Sequence, residues 1–158
     1  MENAIKGANE ALMQKRLLLN VRKMGTVVSV AMIKGGELYV TWLGDSRVYL
    51  FNGDDMVFKT EDHSLLNEIK TKRPLSASTI ERYAGVVTKC IMGDDDLGEI
   101  PVKVIPITKG ETIVLCTDGF HKEMDIQWAL NYNTALKETL DAKSNNASDN
   151  YSFIKVAI

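Results

Sequence analysis

Three glycine-bearing turn signals, Gly35-Gly36, Asn52-Gly53 and Lys109-Gly110, sit between apolar, β-branched segments, and they constrain this chain more than any other feature. Tight turns need positive φ, which glycine adopts without a Cβ clash, and they fold the flanking segments back as antiparallel strands. Residues 26–33 and 37–43 read as one hairpin, 47–51 and 56–59 as a second, and 102–107 with 111–116 as a third. Residues 86–91 are strand-like, and 150–158 alternate enough to form a last strand. Helical texture flanks this block. Residues 3–21 place Ile5, Ala8, Leu12 and Leu19 at roughly helical spacing, with an end near Met24-Gly25. Short helices are expected over 64–70, capped by Ser64, and over 78–83. A longer helical stretch, 125–140, is broken near 131–133. Hairpins in the middle with helices at either side predict an α+β class, antiparallel sheet packed by helices, in a single domain spanning 1–158.

Charge and hydropathy exclude several functions. A formal net charge of -2 offers no basic excess for counterion release, so nucleic acid is not an expected partner. Glu2, Lys6, Glu10, Lys15 and Arg16 interrupt the opening residues too often for a signal peptide or membrane span, which predicts a cytoplasmic protein without membrane contact. The two cysteines, Cys90 and Cys116, each lie in an apolar run and read as reduced, buried, unreactive thiols.

Three carboxylates stand at expected strand tips beside small or polar residues: Asp45 in Gly44-Asp45-Ser46-Arg47, Asp118 in Cys116-Thr117-Asp118-Gly119, and Asp149 before Asn150. A carboxylate there is held by the sheet yet open to solvent, as a hard-cation site requires. Singly, each reads more simply as an ordinary turn residue. His63 is expected to orient the loop after the fourth strand. His121 is expected to be an exposed histidine at a helix start, with support of the acidic site as its other reading. Asp94 to Asp96 read as a solvated loop, Lys70, Lys72 and Arg73 as a solvent-facing turn, and Trp42, Tyr39 and Tyr49 as sheet packing.

The order of these segments carries a resemblance. Met24-Gly25-Thr26 opens a strand, followed by "LYVTWLGDSRVYL" at 38–50, Glu61-Asp62-His63-Ser64, "VVTKCIMG" at 86–93, "IVLCTDGF" at 113–120, and Asp149-Asn150-Tyr151-Ser152 before an apolar strand. This series resembles the type 2C, metal-dependent serine/threonine protein phosphatases over nearly the whole chain, and its short form is closer to bacterial members than to long eukaryotic ones. The resemblance implies a sandwich of two antiparallel sheets flanked by helices, with Mn²⁺ or Mg²⁺ at one end. It implies hydrolysis of phosphoserine or phosphothreonine in a phosphorylated protein substrate, by a water whose pKa the metals lower. Asp118 and Asp149 match two carboxylates of the metal pair, and Asp45 the aspartate of a third, weaker site. Gly119, Asn150 and Arg47 match supporting positions, Arg47 by pairing with a carboxylate or the backbone.

Two departures accompany the resemblance. The family's N-terminal third, with a bridging aspartate-glycine motif and a phosphate-gripping arginine, has no counterpart here, which predicts an incomplete sandwich, weak or absent metal binding and little activity. Lys122 stands four residues beyond Asp118, where members with the third metal often carry an aspartate, and a cation there repels a metal. Open sheet edges left by the missing strands predict a homodimer or another protein partner. A non-catalytic relative that binds a partner or a phosphorylated protein is the alternative function.

Overall fold

The computed structural model describes residues 1–72, 74–133 and 147–158. Helix α1 (Glu2–Leu19) ends where Asn20 turns left-handed at φ 51, a conformation asparagine tolerates, and the next N–H groups fold back onto the carbonyls of Arg16 and Leu17. The helix therefore stops short of the expected Met24-Gly25 end. Strands β1 (Val28–Lys34), β2 (Glu37–Leu43), β3 (Arg47–Asn52) and β4 (Asp55–Lys59) follow. Gly35 and Gly36, at φ 61 and 78, close the β1–β2 hairpin with Lys34 opposite Glu37. Helices α2 (Leu65–Lys70) and α3 (Ala77–Tyr83) start at Ser64 and Ser76, whose hydroxyls accept from the amides of Asn67 and Thr79. Strands β5 (Val102–Pro106) and β6 (Glu111–Cys116), helices α4 (Asp118–Glu123) and α5 (Gln127–Leu130), and strand β7 (Phe153–Ala157) complete the order.

The strands form two antiparallel sheets, β1-β2-β5 and β4-β3-β6-β7. Leu38, Val40 and Trp42 of β2 meet Val48 and Leu50 of β3 and Ile113 of β6 between the sheets. The alternate residues Tyr49, Phe51, Val114 and Cys116 face the other way and pack with Phe120, Met124, Ala129 and Leu130 of the α4–α5 region. Central strands buried on both faces explain why β3 and β6 read as unbroken apolar runs. At the remaining layer, Ile5 of α1 packs with Leu43, Ile91 and Ile100. The α+β class and the two flanked antiparallel sheets agree with the expectation from sequence.

Three readings are corrected. Residues 102–107 and 111–116 are not a hairpin: β5 pairs with β2 and β6 with β3, so the chain crosses from one sheet to the other between them. Ile105 and Ile107 pack against the same core as Ile113, so these segments point apolar side chains at each other from opposite layers, which neighbours in one sheet cannot do. The connection is fixed by the Thr108 amide, which donates to Glu111 Oε2 at 2.7 Å. Residues 86–91 form only isolated bridges, Val87 with Ser64 and Ile91 with Thr26. Of the helical stretch expected over 125–140, α5 stands before the expected break at 131–133, and residues 134–140, like Arg73 of the expected basic turn, lie outside the described residues. Cys90 is half-buried rather than buried, whereas burial pushes the Cys116 thiol up to about 12.

Candidate functional site

At one end of the sandwich, the turn after β2, the start of α4 and the segment entering β7 converge. A Cβ built on Gly119 would lie 2.2 Å from the carbonyl oxygen of Asn150 and 3.3 Å from Cβ of Asp149, so only glycine permits this approach. Two further bonds hold it: the Thr117 amide donates to the Ser152 carbonyl at 3.0 Å, and the Ser152 amide donates to Thr117 Oγ1 at 3.0 Å. Asp118 and Asp149 thus lie on one rim, although 31 residues apart in sequence. Asp45 joins them from the β2–β3 turn, where His121 Nε2–H donates to its backbone carbonyl at 2.9 Å.

Lys122 stands among the three carboxylates. Its ammonium is 2.7 Å from Asp118 Oδ2 and 3.8 Å from Asp45 Oδ2. Burial pulls the Lys122 pKa down, but the hydrogen bond to Asp118 and the charges of Asp118, Asp45 and Asp149 outweigh it and hold the ammonium above the usual lysine value. Burial likewise raises Asp118, and Lys122 more than reverses it, leaving that carboxyl below the ordinary aspartate range. Asp149 Oδ1 accepts from the Asn150 amide at 2.7 Å. Among the described residues no group of three His, Cys, Asp or Glu converges closely enough to hold a metal ion. The acidic residues expected to act together share a rim but not a coordination sphere, and the positive group at its centre belongs to the chain itself.

His121 is not the exposed residue expected from sequence. It is half-buried, and burial lowers its pKa against the opposing effect of its bond to Asp45. Its role in tying α4 to the β2–β3 turn has no signal in the sequence. The Asp118–Lys122 pair had one, the i, i+4 spacing that brings side chains together once a helix begins at Asp118. His63 does orient its loop: Nδ1 accepts from the Gly44 amide at 3.3 Å, and the ring stacks on Trp42 with centroids 5.8 Å apart.

Arg47 lies beside this rim and is fully engaged. Its Nε and Nη2 donate to the two oxygens of Asp62, each at 2.7 Å, and Nη1 donates to the Tyr49 hydroxyl at 3.2 Å. Such a planar, two-point pair holds the guanidinium charged and well above its ordinary pKa. Asp62, the carboxylate that Arg47 pairs with, comes from the Glu61-Asp62-His63-Ser64 segment. Arg47 and Asp62 form one wall of a groove of about 560 Å³ that Lys59, Thr60, Asn67 and Lys70 also line.

A sequence profile described as protein phosphatase 2C matches residues 1–151. The chain belongs to the protein phosphatase 2C family. Among its relatives is the serine/threonine phosphatase stp of Listeria innocua, 26% identical over 148 residues, a match covering 87% of this chain and 58% of that protein. This phosphatase 2C chain therefore spans less than two thirds of the length of the Listeria relative. The sandwich superposes on the serine/threonine phosphatase PstP/Ppp of Mycobacterium tuberculosis with a TM-score of 0.81 at 17% identity, covering 99% of this chain and 70% of that one. It also matches the catalytic domain of the protein phosphatase PstP in complex with two manganese ions, with a TM-score of 0.73 at 17% identity, covering 94% of this chain and 65% of the other. Within this phosphatase 2C chain, however, the donors do not fit a metal pair on their own. Asp118 and Asp149 offer too few oxygens for octahedral ions, and one of them is already bonded to an ammonium.

Proposed function

We propose that these residues are the larger part of a metal-dependent phosphatase domain that removes phosphate from phosphoserine and phosphothreonine in proteins, with weak or no turnover by the 158 residues alone. The contact that carries this reading is the close approach of Gly119 to Asn150, which sets Asp118 beside Asp149 in a chain of the phosphatase 2C family. In this reading Asp118 and Asp149 would be two of the carboxylates of a site that needs further donors beyond these residues, and a Mn²⁺ or Mg²⁺ held there would supply the hydrolytic water. Asp45 would belong to a weaker third position, and Gly119, Asn150 and Arg47 would keep the loops in place. The 158 residues all belong to that single domain, acting in the cytoplasm. Among the described residues no helix is long and apolar enough to cross a membrane.

Manganese-stimulated hydrolysis of p-nitrophenyl phosphate, lost in Asp118→Ala, is the expected result for a chain that retains activity. The second reading, a non-catalytic relative that binds a phosphorylated protein or another partner, is favoured by the ion pair of Lys122 with Asp118. No hydrolysis and no heat of Mn²⁺ binding in calorimetry would select it over the first.

A further inference from the structure

We propose that the groove between the β3–β4 strands and helix α2 binds an acidic segment of a protein, with the ammonium groups of Lys59 and Lys70 reading its charge. Two walls build the groove. One is the sheet face that carries Arg47 and Tyr49, and Lys59 joins them because it stands opposite Tyr49 in the β3–β4 register. The other is α2, started by the Ser64 hydroxyl and tied down where Asn67 Nδ2 donates to the Asp62 carbonyl at 2.9 Å. Lys70 and Thr71 stand at i+3 and i+4 from Asn67, so the three share one side of the helix and line the groove together.

The charge of the groove follows from which groups are already engaged. Both oxygens of Asp62 accept from Arg47, so that wall presents a neutralised pair. Lys59 and Lys70 are exposed and enter no ion pair among the described residues. Glu61, the remaining carboxylate of the lining, offsets only one of them. The groove therefore holds a positive excess on a chain whose formal net charge is -2, and it draws anionic groups. Its volume of about 560 Å³ is far more than a single ion fills, and cations on both walls beside the amide of Asn67 and the hydroxyl of Thr71 suit a polypeptide carrying several carboxylates. Asp45 of the acidic rim and Arg47 of the groove wall are two residues apart, so a segment held here passes next to the rim. The inference rests on the proposed phosphatase reading only for the source of that segment, the residues beside a phosphorylated serine or threonine.

The test follows the fluorescence anisotropy of two labelled peptides with the unaltered chain, one of alternating glutamate and alanine and one with glutamine in place of every glutamate. The glutamate peptide is expected to bind roughly tenfold tighter than its glutamine counterpart, and more weakly as salt rises. Lys59→Glu and Lys70→Glu should each weaken the glutamate peptide by roughly tenfold, and Glu61→Gln should tighten it by about threefold. Equal binding of the two peptides, or unchanged affinity in both lysine variants, overturns the proposal. Because both lysines are exposed, the urea midpoints of these variants should stay close to that of the unaltered chain. Should a variant not fold, amide shifts in the unaltered chain decide: the glutamate peptide is expected to move residues 59–62 and 67–71, and shifts confined elsewhere overturn the groove. A preference for glutamate in a chain that hydrolyses no p-nitrophenyl phosphate supports the groove while the phosphatase reading fails. Hydrolysis without any preference for glutamate does the reverse.

Discussion

At the scale of single residues, the ion pairs divide by burial. The pair of Lys122 with Asp118 is open to water, whereas the side chains of Arg47 and Asp62 are only 23% and 14% exposed. A charge left without its partner in such a place costs far more than an exposed pair contributes. Asp62→Ala strands the Arg47 guanidinium beside the Tyr49 hydroxyl, and we expect it to lower stability by about 3 kcal/mol, read from urea unfolding. The double variant Arg47→Met, Asp62→Ala should recover part of that loss, because no buried charge remains. If Asp62→Ala costs no more than a surface substitution, the pair is solvated and this assessment is wrong. The sequence allowed Arg47 to be read as a support but was silent on its partner, because Asp62 arrives from beyond a hairpin, 15 residues away. The same limit applies to the rim. Asp45, Asp118 and Asp149 could be picked out as turn carboxylates, but the Cβ-free contact that joins two of them depends on how distant loops pack.

At the scale of elements, strands were more legible than their partners. Period-2 patterning and glycine turns located β2, β3 and β6 to within a residue, because those features are written locally. Sheet membership was hidden by burial: β3 and β6 are apolar on both faces, so no polar face indicated which layer each would join. The place where the chain changes layers, Gly44 to Ser46, shows what such a crossing requires. Gly44 has φ 119, and a Cβ there would lie 2.2 Å from Val27 Cγ1. Backbone strain and overpacking then act together, and Gly44→Ala should cost about 3 kcal/mol. Gly53, at φ 59 in the β3–β4 turn, faces open space, so Gly53→Ala bears only the conformational part, about 1 kcal/mol. Equal losses in the two variants, measured by the same urea transitions, would mean that contact with Val27 does not constrain the crossing.

For the whole molecule, the question is what the outer strands meet. β1 and β5 bound one sheet, β4 and β7 the other, and an outer strand offers unpaired backbone groups to any chain that can align with them. Charges guard some of these edges, as Asp55 and Lys59 do on β4. Strand β7 is less protected: Ile154 is 61% exposed, and beside it Ser29, Ser46, Leu115 and Phe153 line a shallow, mainly apolar depression. A second copy laying its own β7 alongside would extend the four-stranded sheet across a two-fold axis and remove both isoleucines from water. Following the proposed homodimer, we expect light scattering at micromolar concentration to give a mass above the 17.6 kDa of one chain. Ile154→Lys should restore the monomer by placing like charges on facing edges, and because Ile154 is already exposed it should leave the urea midpoint of the monomer nearly unchanged. A stable monomer for the unaltered chain excludes the dimer. A dimer that persists in Ile154→Lys moves the interface to β1 or β5, where Met32, Ile33, Val102 and Val104 are also exposed.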